Sequence, residues 1–324
     1  MPQRKAPPLF RAIDGHVDLV YDMMRRHPGK PFTEIAAGAV TRHTLAAGGV
    51  RIIVSALYCP DRYNGRASAL PHLRGLMAYA REQLRGVVPI HDRAGLDAHF
   101  DDDAPPGLLT LLENADALVE MGEDEFASFG PVAVGLTHAG RNRLGDGNDV
   151  AAPAGLTAAG RRLVRRLDRQ GVALDLAHLS PPCFREALEL FRGPVMSSHT
   201  GLRAFCDRPR NLTPDQVAAI VNRGGIVGVA AAPEMLTGRQ QGSMEDLFRQ
   251  IDRIVQRHGA EPVAIGSDFG GFDGENHGFG DHGAFPRLAE RLLEAGYGEE
   301  SVGLIMGGNW RRWYGAILGA GQTG

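Results

Sequence analysis

The chain has 324 residues and a formal charge of −3 with histidine neutral, from 35 lysine and arginine residues against 38 aspartate and glutamate residues. This near-balance excludes a nucleic-acid binder that depends on a strongly basic field. Charged residues make up 23% and hydrophobic residues 43% of the chain, which is typical of a folded soluble protein and not of a disordered or fibrous one.

The cysteines and the ends of the chain bear on where the protein works. The three cysteines form no CxxC pair, which argues against a disulfide framework or a structural zinc knuckle and favours a reducing compartment. No run reaches the roughly 18 apolar residues of a membrane span, and no apolar segment follows the basic residues near the N-terminus. We therefore expect a soluble, cytoplasmic protein with neither a membrane anchor nor a nucleic-acid partner.

Short apolar runs recur along the chain and alternate with helical patterns. The runs, typical of parallel strands buried on both faces, cover residues 10–14, 50–57, 108–112, 132–137, 172–177, 194–198, 225–231 and 263–267. Apolar residues at helical spacing predict helices over 66–85, 156–170, 181–191, 214–223 and 244–258. Eight such units predict a single (β/α)8 barrel domain of the TIM type over residues 1–324, although a doubly wound open sheet has the same alternation.

Metal ligands or acids stand directly after six of the eight runs. They are His16 with Asp18, Glu113, His138, His178, His199 and Asp268. Because active sites of such barrels lie at the C-terminal ends of the strands, we expect these side chains to converge on one rim.

Two pairs of these residues have the chemistry of metal ligands. His16 and Asp18 are two residues apart, so an extended segment would place both side chains on one side of the backbone. His178 and His199 close neighbouring strands, where neutral imidazoles are typical metal ligands. Nitrogen and oxygen ligands without thiolates suit Zn²⁺, with Mn²⁺, Co²⁺ and Fe²⁺ as alternatives.

A glutamate is the candidate for a ligand shared by two ions. Glu113 is in register with Leu109 and Leu111 and so faces the barrel interior, where a carboxylate is costly unless it pairs with an arginine or binds a metal. The chain has only two lysines, Lys5 and Lys30, and neither follows a strand, so neither is placed to form a carbamylated bridge. Two ions would then share Glu113, with the first histidine–aspartate pair on one ion and the two later histidines on the other.

Seven segments together resemble those of the membrane (renal) dipeptidase family and its bacterial members. They begin at Asp14, Gly135, Leu174, Ser197, Arg208, Gly266 and Gly307, and read DGHVDL, GLTH, LDLAHLS, SSHT, RPRNL, GSDF and GGN in the family's order. The resemblance implies a zinc-dependent dipeptidase on a (β/α)8 barrel, usually a homodimer, with two zinc ions per chain bridged by a glutamate. It also implies tolerance for a D-residue at the C-terminal position of the dipeptide substrate.

The resemblance also implies a role for each matching position. The implied metal ligands are His16, Asp18, Glu113, His178 and His199. His138 would contact the substrate near the scissile carbonyl, Arg210 would hold the substrate carboxylate, and Asp268 would handle the proton. A hydroxide held between the two cations would be the nucleophile.

The sequence departs from the family's pattern in three places. Asn114 follows the glutamate where the family has a small residue, Gly270 replaces a second acid, and residues 139–142 are unusual. These departures concern the substrate pocket and not the ligands.

Three alternatives compete with the dipeptidase interpretation. The Arg210 segment and the missing lysine bridge argue against a lactonase or phosphotriesterase-like barrel, and intact Asp268 argues against a non-catalytic metal-binding barrel. The segment Gly278–Gly283 spells GxGxxG, but no predicted strand leads into it, so we interpret it as a flexible loop and not as a dinucleotide site. The remaining histidines, His277 and His282 among them, are expected at the surface or behind the ligands.

Overall fold

A parallel sheet curled into a barrel forms the centre of the protein in the computed structural model, which describes residues 10–102 and 104–320. Its strands are β1 (Ala12–Val17), β2 (Val50–Tyr58), β3 (Gly107–Glu113), β4 (Ala133–Gly135), β5 (Ala173–Asp175), β6 (Val195–Thr200), β7 (Ile226–Val229) and β8 (Val263–Ile265). Each strand pairs in parallel with the next one in the chain, and a bridge between Val17 and Phe269 joins the last to the first. The predicted (β/α)8 barrel is confirmed, and the open sheet was the wrong alternative.

Helices surround the barrel and connect its strands. They are α1 (Leu19–Arg26), α2 (Arg42–Ala47), α3 (Ala69–Gln83), α4 (Arg93–Asp101), α5 (Glu123–Phe129), α6 (Ala158–Gln170), α7 (Pro181–Leu190), α8 (Pro214–Asn222), α9 (Pro233–Leu236), α10 (Met244–His258), α11 (Phe285–Glu294), α12 (Glu299–Gly303) and α13 (Asn309–Ala320). The five helices predicted from periodicity correspond to α3, α6, α7, α8 and α10. Among the described residues, no helix combines the length and the apolar character that crossing a bilayer requires.

Helix α6 shows how local chemistry sets the ends of an element. The Thr157 side chain accepts a hydrogen bond from the Gly160 amide and so caps the first turn. Its apolar stripe, with Leu163 and Leu167, is buried against the sheet. The helix ends at Gly171, whose φ of 68° is a left-handed conformation that glycine adopts without strain.

Two small pairings lie beside the main barrel path. Val88–Pro89 pairs in parallel with the start of β3, at Gly107 and Leu108, and Gln241–Ser243 pairs with Glu275–His277. The expectation that no strand leads into the GxGxxG segment was therefore wrong, since Glu275–His277 ends directly before Gly278. That strand has three residues and pairs with Gln241–Ser243 outside the barrel sheet. Although α11 begins at Phe285 after the 3₁₀ turn His282–Ala284, no strand of the barrel sheet leads into it, so the segment lacks the βαβ context of a dinucleotide site.

The barrel interior is packed with side chains that alternate along the strands. This inner core includes Ile13, Ile52, Val54, Ala56, Leu109, Leu111, Ala173, Met196, Ile226 and Ala264, with Trp310 and Tyr314 of α13 packed among them. The Trp310 indole donates a hydrogen bond to the Ile265 carbonyl at 2.8 Å. Because Leu109 and Leu111 face inward, Glu113 two residues further on faces inward as well.

Candidate metal and substrate site

The C-terminal ends of the barrel strands enclose a cavity of about 460 Å³. Its lining includes seven of the predicted site residues: Asp18, Glu113, His138, His178, His199, Arg210 and Asp268. The eighth, His16, is fully buried and contacts two of the lining carboxylates. The structure therefore brings all the predicted site residues together.

A bulge at the end of β1 presents the first pair of ligand candidates. The register between β1 and β2 shifts between Asp14 and Val17, and the amide of His16 donates to the Asp14 carboxylate at 3.3 Å. His16 Nε2 then lies 3.5 Å from Asp18 Oδ2. The two side chains meet on one side of the chain, as their spacing predicts.

The two carboxylate oxygens of Glu113 face different histidines. Oε1 lies 2.8 Å from His178 Nε2 and 3.7 Å from His199 Nε2. Oε2 lies 3.8 Å from His16 Nε2. The ion partners of this buried carboxylate are imidazoles and not the arginine that was the alternative, and its two oxygens face different imidazoles.

A single serine fixes the orientation of two histidines. The Ser198 hydroxyl has one proton and donates it to Asp175 Oδ2 at 2.5 Å. Its contacts with Nδ1 of His16, at 3.0 Å, and Nδ1 of His199, at 2.8 Å, must then have the imidazole N–H as donor. In the neutral form of each ring, the lone pair is consequently on Nε2, which is the form of histidine that binds metals.

The third histidine is oriented in the same way by an amide. His178 Nδ1 lies 3.0 Å from Asn148 Oδ1, an acceptor, so Nδ1 is again the donor. Its Nε2 atom lies 3.1 Å from His199 Nε2. Two imidazole lone pairs this close are stabilised by a cation or a proton placed between them.

Buried atoms without partners test whether a metal fits this site. His16 Nε2 and Asp18 Oδ1 are buried and have no hydrogen-bond partner among the described residues. A buried polar atom left unsatisfied costs about 1–3 kcal/mol, and a cation would satisfy both. Imidazole and carboxylate donors without thiolates are the set that Zn²⁺ and similar divalent ions prefer. The residues present fit a divalent metal.

Burial and neighbouring charges set the ionisation of the ligand candidates. Burial alone lowers the pKa of His16, but Asp18 and Glu113 outweigh it and raise the pKa to about 9. Burial lowers the pKa of His178 to about 3. Burial opposes ionisation of Glu113, yet the facing His178 and His16 hold its pKa well below the usual range. Protons and metal ions therefore compete for His16, whereas His178 is neutral and Glu113 ionised.

Three non-glycine residues with a left-handed backbone lie at this rim. Asn114, His178 and Asp268 have φ values of 63°, 64° and 64°. Such conformations cost about 1–3 kcal/mol each and cluster at functional sites. Burial and the neighbouring Asp18 carboxylate also raise the pKa of Asp268 well above its usual value. Asp268 therefore holds a proton more readily than an ordinary aspartate.

Arg210 lines the same cavity and has two hydrogen-bond donors without a partner among the described residues. Its Nη2 donates to the His199 carbonyl at 2.8 Å. Its Nε and Nη1 atoms are buried and have no partner among the described residues. A planar guanidinium with two free donors matches a carboxylate, so Arg210 is placed as a receptor for an anionic group.

An aspartate that sequence patterns did not single out orients His138. Asp61 belongs to the 3₁₀ turn Asp61–Tyr63 that follows β2. Its Oδ2 accepts from His138 Nδ1 at 3.0 Å and from the Gly140 amide at 3.1 Å. Burial lowers the pKa of His138, but Asp61 and Glu113 outweigh it and raise the pKa. No local periodicity marks Asp61, because its partner lies 77 residues further on.

Asp175 and Ser198, which orient the histidines, could have been identified from the alternation of residues along their strands. Asp175 and Ser198 lie two residues after Ala173 and Met196, whose side chains belong to the inner core. Period-two alternation therefore predicts that both polar side chains face the barrel interior. A buried serine and aspartate on adjacent strands could have been identified as hydrogen-bond partners of the ligands.

Asn114, the first departure from the family pattern, connects neighbouring loops through hydrogen bonds of its side chain. Asn114 Nδ2 donates to the Cys59 carbonyl at 2.6 Å and to Asn64 Oδ1 at 2.8 Å, and its Oδ1 accepts from Asn142 at 2.8 Å. The unusual segment 139–142 is thereby tied to the end of β3. Asparagine also tolerates the left-handed backbone that this position requires.

The second departure, Gly270, lies where a side chain would not fit. Its φ is 92°, and a Cβ there would lie 2.8 Å from the Cβ of Asp22. A Cβ on the next residue, Gly271, would overlap the carboxylates of Asp18 and Asp268. The backbone of this loop therefore packs directly against the site.

The lysines and the two histidines of the loop after the last barrel strand differ in their exposure to solvent. Lys30 is exposed, and Lys5 lies outside the described residues. His277 is exposed, whereas His282 is completely buried and hydrogen-bonded to Asp14 at 2.8 Å.

Residues 8–318 match the family described as membrane dipeptidase, peptidase family M19. Dipeptidase tcpJ of Claviceps purpurea is 27% identical over 93% of this chain and 76% of its own length. An uncharacterized protein in the pqqA 5′ region of Klebsiella pneumoniae is 32% identical over 53% of this chain and 66% of its own. Human dipeptidase 3 is 31% identical over 49% of this chain and 33% of its own. The chain thus spans only part of the length of these relatives.

Solved structures share the fold over nearly the whole chain. The crystal structure of the M19 metallopeptidase called dipeptidase AC has a TM-score of 0.83 and 24% identity, and the match covers 96% of this chain and 100% of that one. A metallopeptidase from Rhodobacter sphaeroides, liganded with a phosphinate mimic of L-Ala-D-Ala, has a TM-score of 0.83 and 24% identity over 95% of this chain and 99% of its own. Because the family match spans nearly the whole sequence, the chain belongs to the membrane dipeptidase family, peptidase family M19, a family of peptide-bond hydrolases.

Proposed function

We propose that the protein is a metallo-dipeptidase that hydrolyses free dipeptides, including those with a C-terminal D-residue, with two zinc ions per chain. One observation carries this proposal. In a single cavity, Glu113 divides its carboxylate oxygens between two sets of histidines while Arg210 keeps two donors free. A shared carboxylate suits a pair of ions, and free guanidinium donors suit the carboxylate end of a short peptide.

The proposed ligands divide into two half-sites that share one glutamate. His16 and Asp18 would hold one ion, His178 and His199 the other, and Glu113 would contact both. When bound, such cations lower the pKa of water from about 15.7 to about 7 and polarise a carbonyl oxygen.

Arg210 would select the length of the substrate. Its guanidinium would pair with the C-terminal carboxylate through two parallel N–H donors, Nη2 with either Nη1 or Nε, and a peptide extended beyond that position would present no carboxylate there. The Rhodobacter sphaeroides relative in fold binds a mimic of L-Ala-D-Ala, which supports tolerance for a D-residue at this end of the substrate.

His138 and Asp268 would manage the proton and the developing charge. With Asp61 on Nδ1, a protonated His138 can donate from Nε2 to the carbonyl oxygen of the scissile bond. Asp268 would accept a proton from the attacking water and donate it to the leaving amine as the C–N bond breaks. Its raised pKa suits a group that must hold a proton between these steps.

We also propose a homodimer in a reducing compartment such as the cytoplasm. Cys59, Cys183 and Cys206 are buried and free, as in proteins of reducing compartments. Sedimentation of the purified protein would measure the dimer directly.

The test is hydrolysis of L-Ala-L-Ala and L-Ala-D-Ala by zinc-loaded protein, beside C-terminally amidated analogues and a chelated control. We expect chelator-sensitive cleavage of the free dipeptides and little cleavage of the amides. Metal analysis of the same sample should give two ions per chain. Cleavage that survives removal of the metal, or equal rates on the amides, would refute the proposal.

A further inference from the structure

One buried carboxylate joins the first and last strands of the barrel behind the proposed metal site. Asp14 Oδ1 accepts from the Ser267 amide at 2.8 Å and from the His16 amide at 3.3 Å. Asp14 Oδ2 accepts from the Ser267 hydroxyl at 2.5 Å and from His282 Nε2 at 2.8 Å. Asp14, Ser267 and His282 are all fully buried. We call these three residues the Asp14–His282 clasp.

The clasp lies at the seam where the barrel closes. Two main-chain hydrogen bonds cross this seam. The Asp268 amide donates to the His16 carbonyl at 3.0 Å, and the Asp18 amide donates to the Phe269 carbonyl at 2.9 Å. The bulge in β1 lies at the same place. The Asp14 carboxylate accepts hydrogen bonds from the main-chain amides of both His16 and Ser267. It therefore fixes the position of the ligand candidate His16 relative to Ser267, the residue that precedes Asp268.

His282 is the residue of the clasp that donates a side-chain hydrogen bond to the Asp14 carboxylate from the loop after the last barrel strand. Its ring packs between Phe269 and Phe285, with centroids 5.1 and 5.4 Å away. A carboxylate oxygen accepts, so Nε2 donates its proton to Asp14. His282 Nδ1 has no partner among the described residues, so the hydrogen bond to Asp14 is the polar contact that the buried ring makes.

We propose that the Asp14–His282 clasp positions the His16–Asp18 half-site and Asp268, and so sets the affinity of one of the two metal ions. This inference rests on the proposed metal site. The other half-site contains His178, which Asn148 orients, and neither Asp14 nor His282 contacts that support. Loss of the His282 donor should therefore lower the affinity for the ion of the His16–Asp18 half-site and leave the affinity for the other ion unchanged.

The experiment titrates metal-free protein with Zn²⁺ in a calorimeter and compares three variants. His282→Phe keeps the ring packing but removes the donor, and His282→Gln restores an N–H donor. Phe279→Leu is the matched control, because Phe279 stacks on Phe269 and Phe285 in the same cluster and has no donor to offer Asp14. Supporting partners of metal ligands typically account for about 10–100-fold in affinity. We expect His282→Phe to lose that much zinc affinity in one of its two binding steps. His282→Gln should recover part of the lost affinity, and Phe279→Leu should bind both ions with wild-type affinity.

A second readout follows the amide protons that Asp14 accepts. Hydrogen exchange at His16 and Ser267 should accelerate in His282→Phe and stay slow in Phe279→Leu. If His282→Phe does not fold, Ser267→Ala removes the hydroxyl that donates to Asp14 and accepts from the Phe269 amide, and it should also weaken one binding step. In kinetics, kcat of the clasp variants should fall while KM stays near the wild-type value, because Arg210 lies outside the clasp.

The results separate this inference from the proposed function. Two unchanged binding steps in His282→Phe, or equal weakening of both steps in proportion to the loss of Tm, would overturn the clasp. Wild-type protein that binds two ions but cleaves no dipeptide would refute the proposed function, and the titration would still test the clasp. Wild-type protein that binds fewer than two ions would overturn both.

Discussion

Ser198→Ala is the substitution that tests most directly how the ligands are held. The Ser198 hydroxyl accepts from Nδ1 of both His16 and His199 and donates to Asp175. Alanine removes all three hydrogen bonds and changes the side-chain volume little. The two imidazoles would then be free to rotate or to change tautomer, so that Nε2 no longer presents a fixed lone pair.

The expected magnitude follows from the number of groups left without a partner. One supporting partner is worth about 10–100-fold in metal affinity, and Ser198 supports one histidine in each proposed half-site. Both zinc-binding steps should therefore weaken by at least about tenfold, which is about 1.4 kcal/mol per step. Two buried N–H donors without acceptors should also lower the free energy of unfolding of the metal-free protein by about 2 kcal/mol or more.

The preceding residue supplies a matched control. Ser197 is fully buried on the same strand, and its hydroxyl has no hydrogen-bond partner among the described residues. Ser197→Ala should therefore leave both zinc affinities unchanged and leave the free energy of unfolding equal or slightly higher. Calorimetric zinc titration and urea denaturation of the two variants measure both quantities.

Two outcomes would refute this reasoning. If Ser198→Ala binds two zinc ions with wild-type affinity, the serine does not fix the tautomers of the histidines. If Ser197→Ala and Ser198→Ala lose affinity equally, the effect comes from the strand and not from the hydroxyl.

Three further substitutions test the groups that would meet the substrate. Arg210→Ala should raise KM for free dipeptides by about 100-fold or more and leave amidated analogues nearly unchanged, since a charge-assisted bidentate contact is lost; equal losses on both would contradict the carboxylate role. Asp268→Asn should lower kcat by about 10²–10⁴-fold with two ions still bound, and loss of an ion on metal analysis would instead make Asp268 a ligand. Asp61→Asn should lower kcat by about tenfold with zinc affinity unchanged, because His138 loses the charge that favours its protonated form; a wild-type kcat would exclude that role.

Local patterns in the sequence determined the strands and the positions of the ligand candidates. Continuous apolar runs mark buried parallel strands, and a barrel gathers the residues after them at one rim whatever their distance along the chain. His16, Glu113 and Asp268 could therefore be located from the amino-acid sequence alone. The short strand before Gly278 was missed, since three polar residues, of which two are exposed, carry no apolar pattern.

Only the tertiary structure decided what holds those ligands in place. Ser198 and His16 are 182 residues apart, and Asp14 and His282 are 268 apart. Such pairs depend on the register between strands, on the bulge in β1 and on closure of the barrel. Periodicity reports which face of its own element a side chain occupies, but a hydrogen bond across the barrel is fixed only when strands distant in sequence are brought into register.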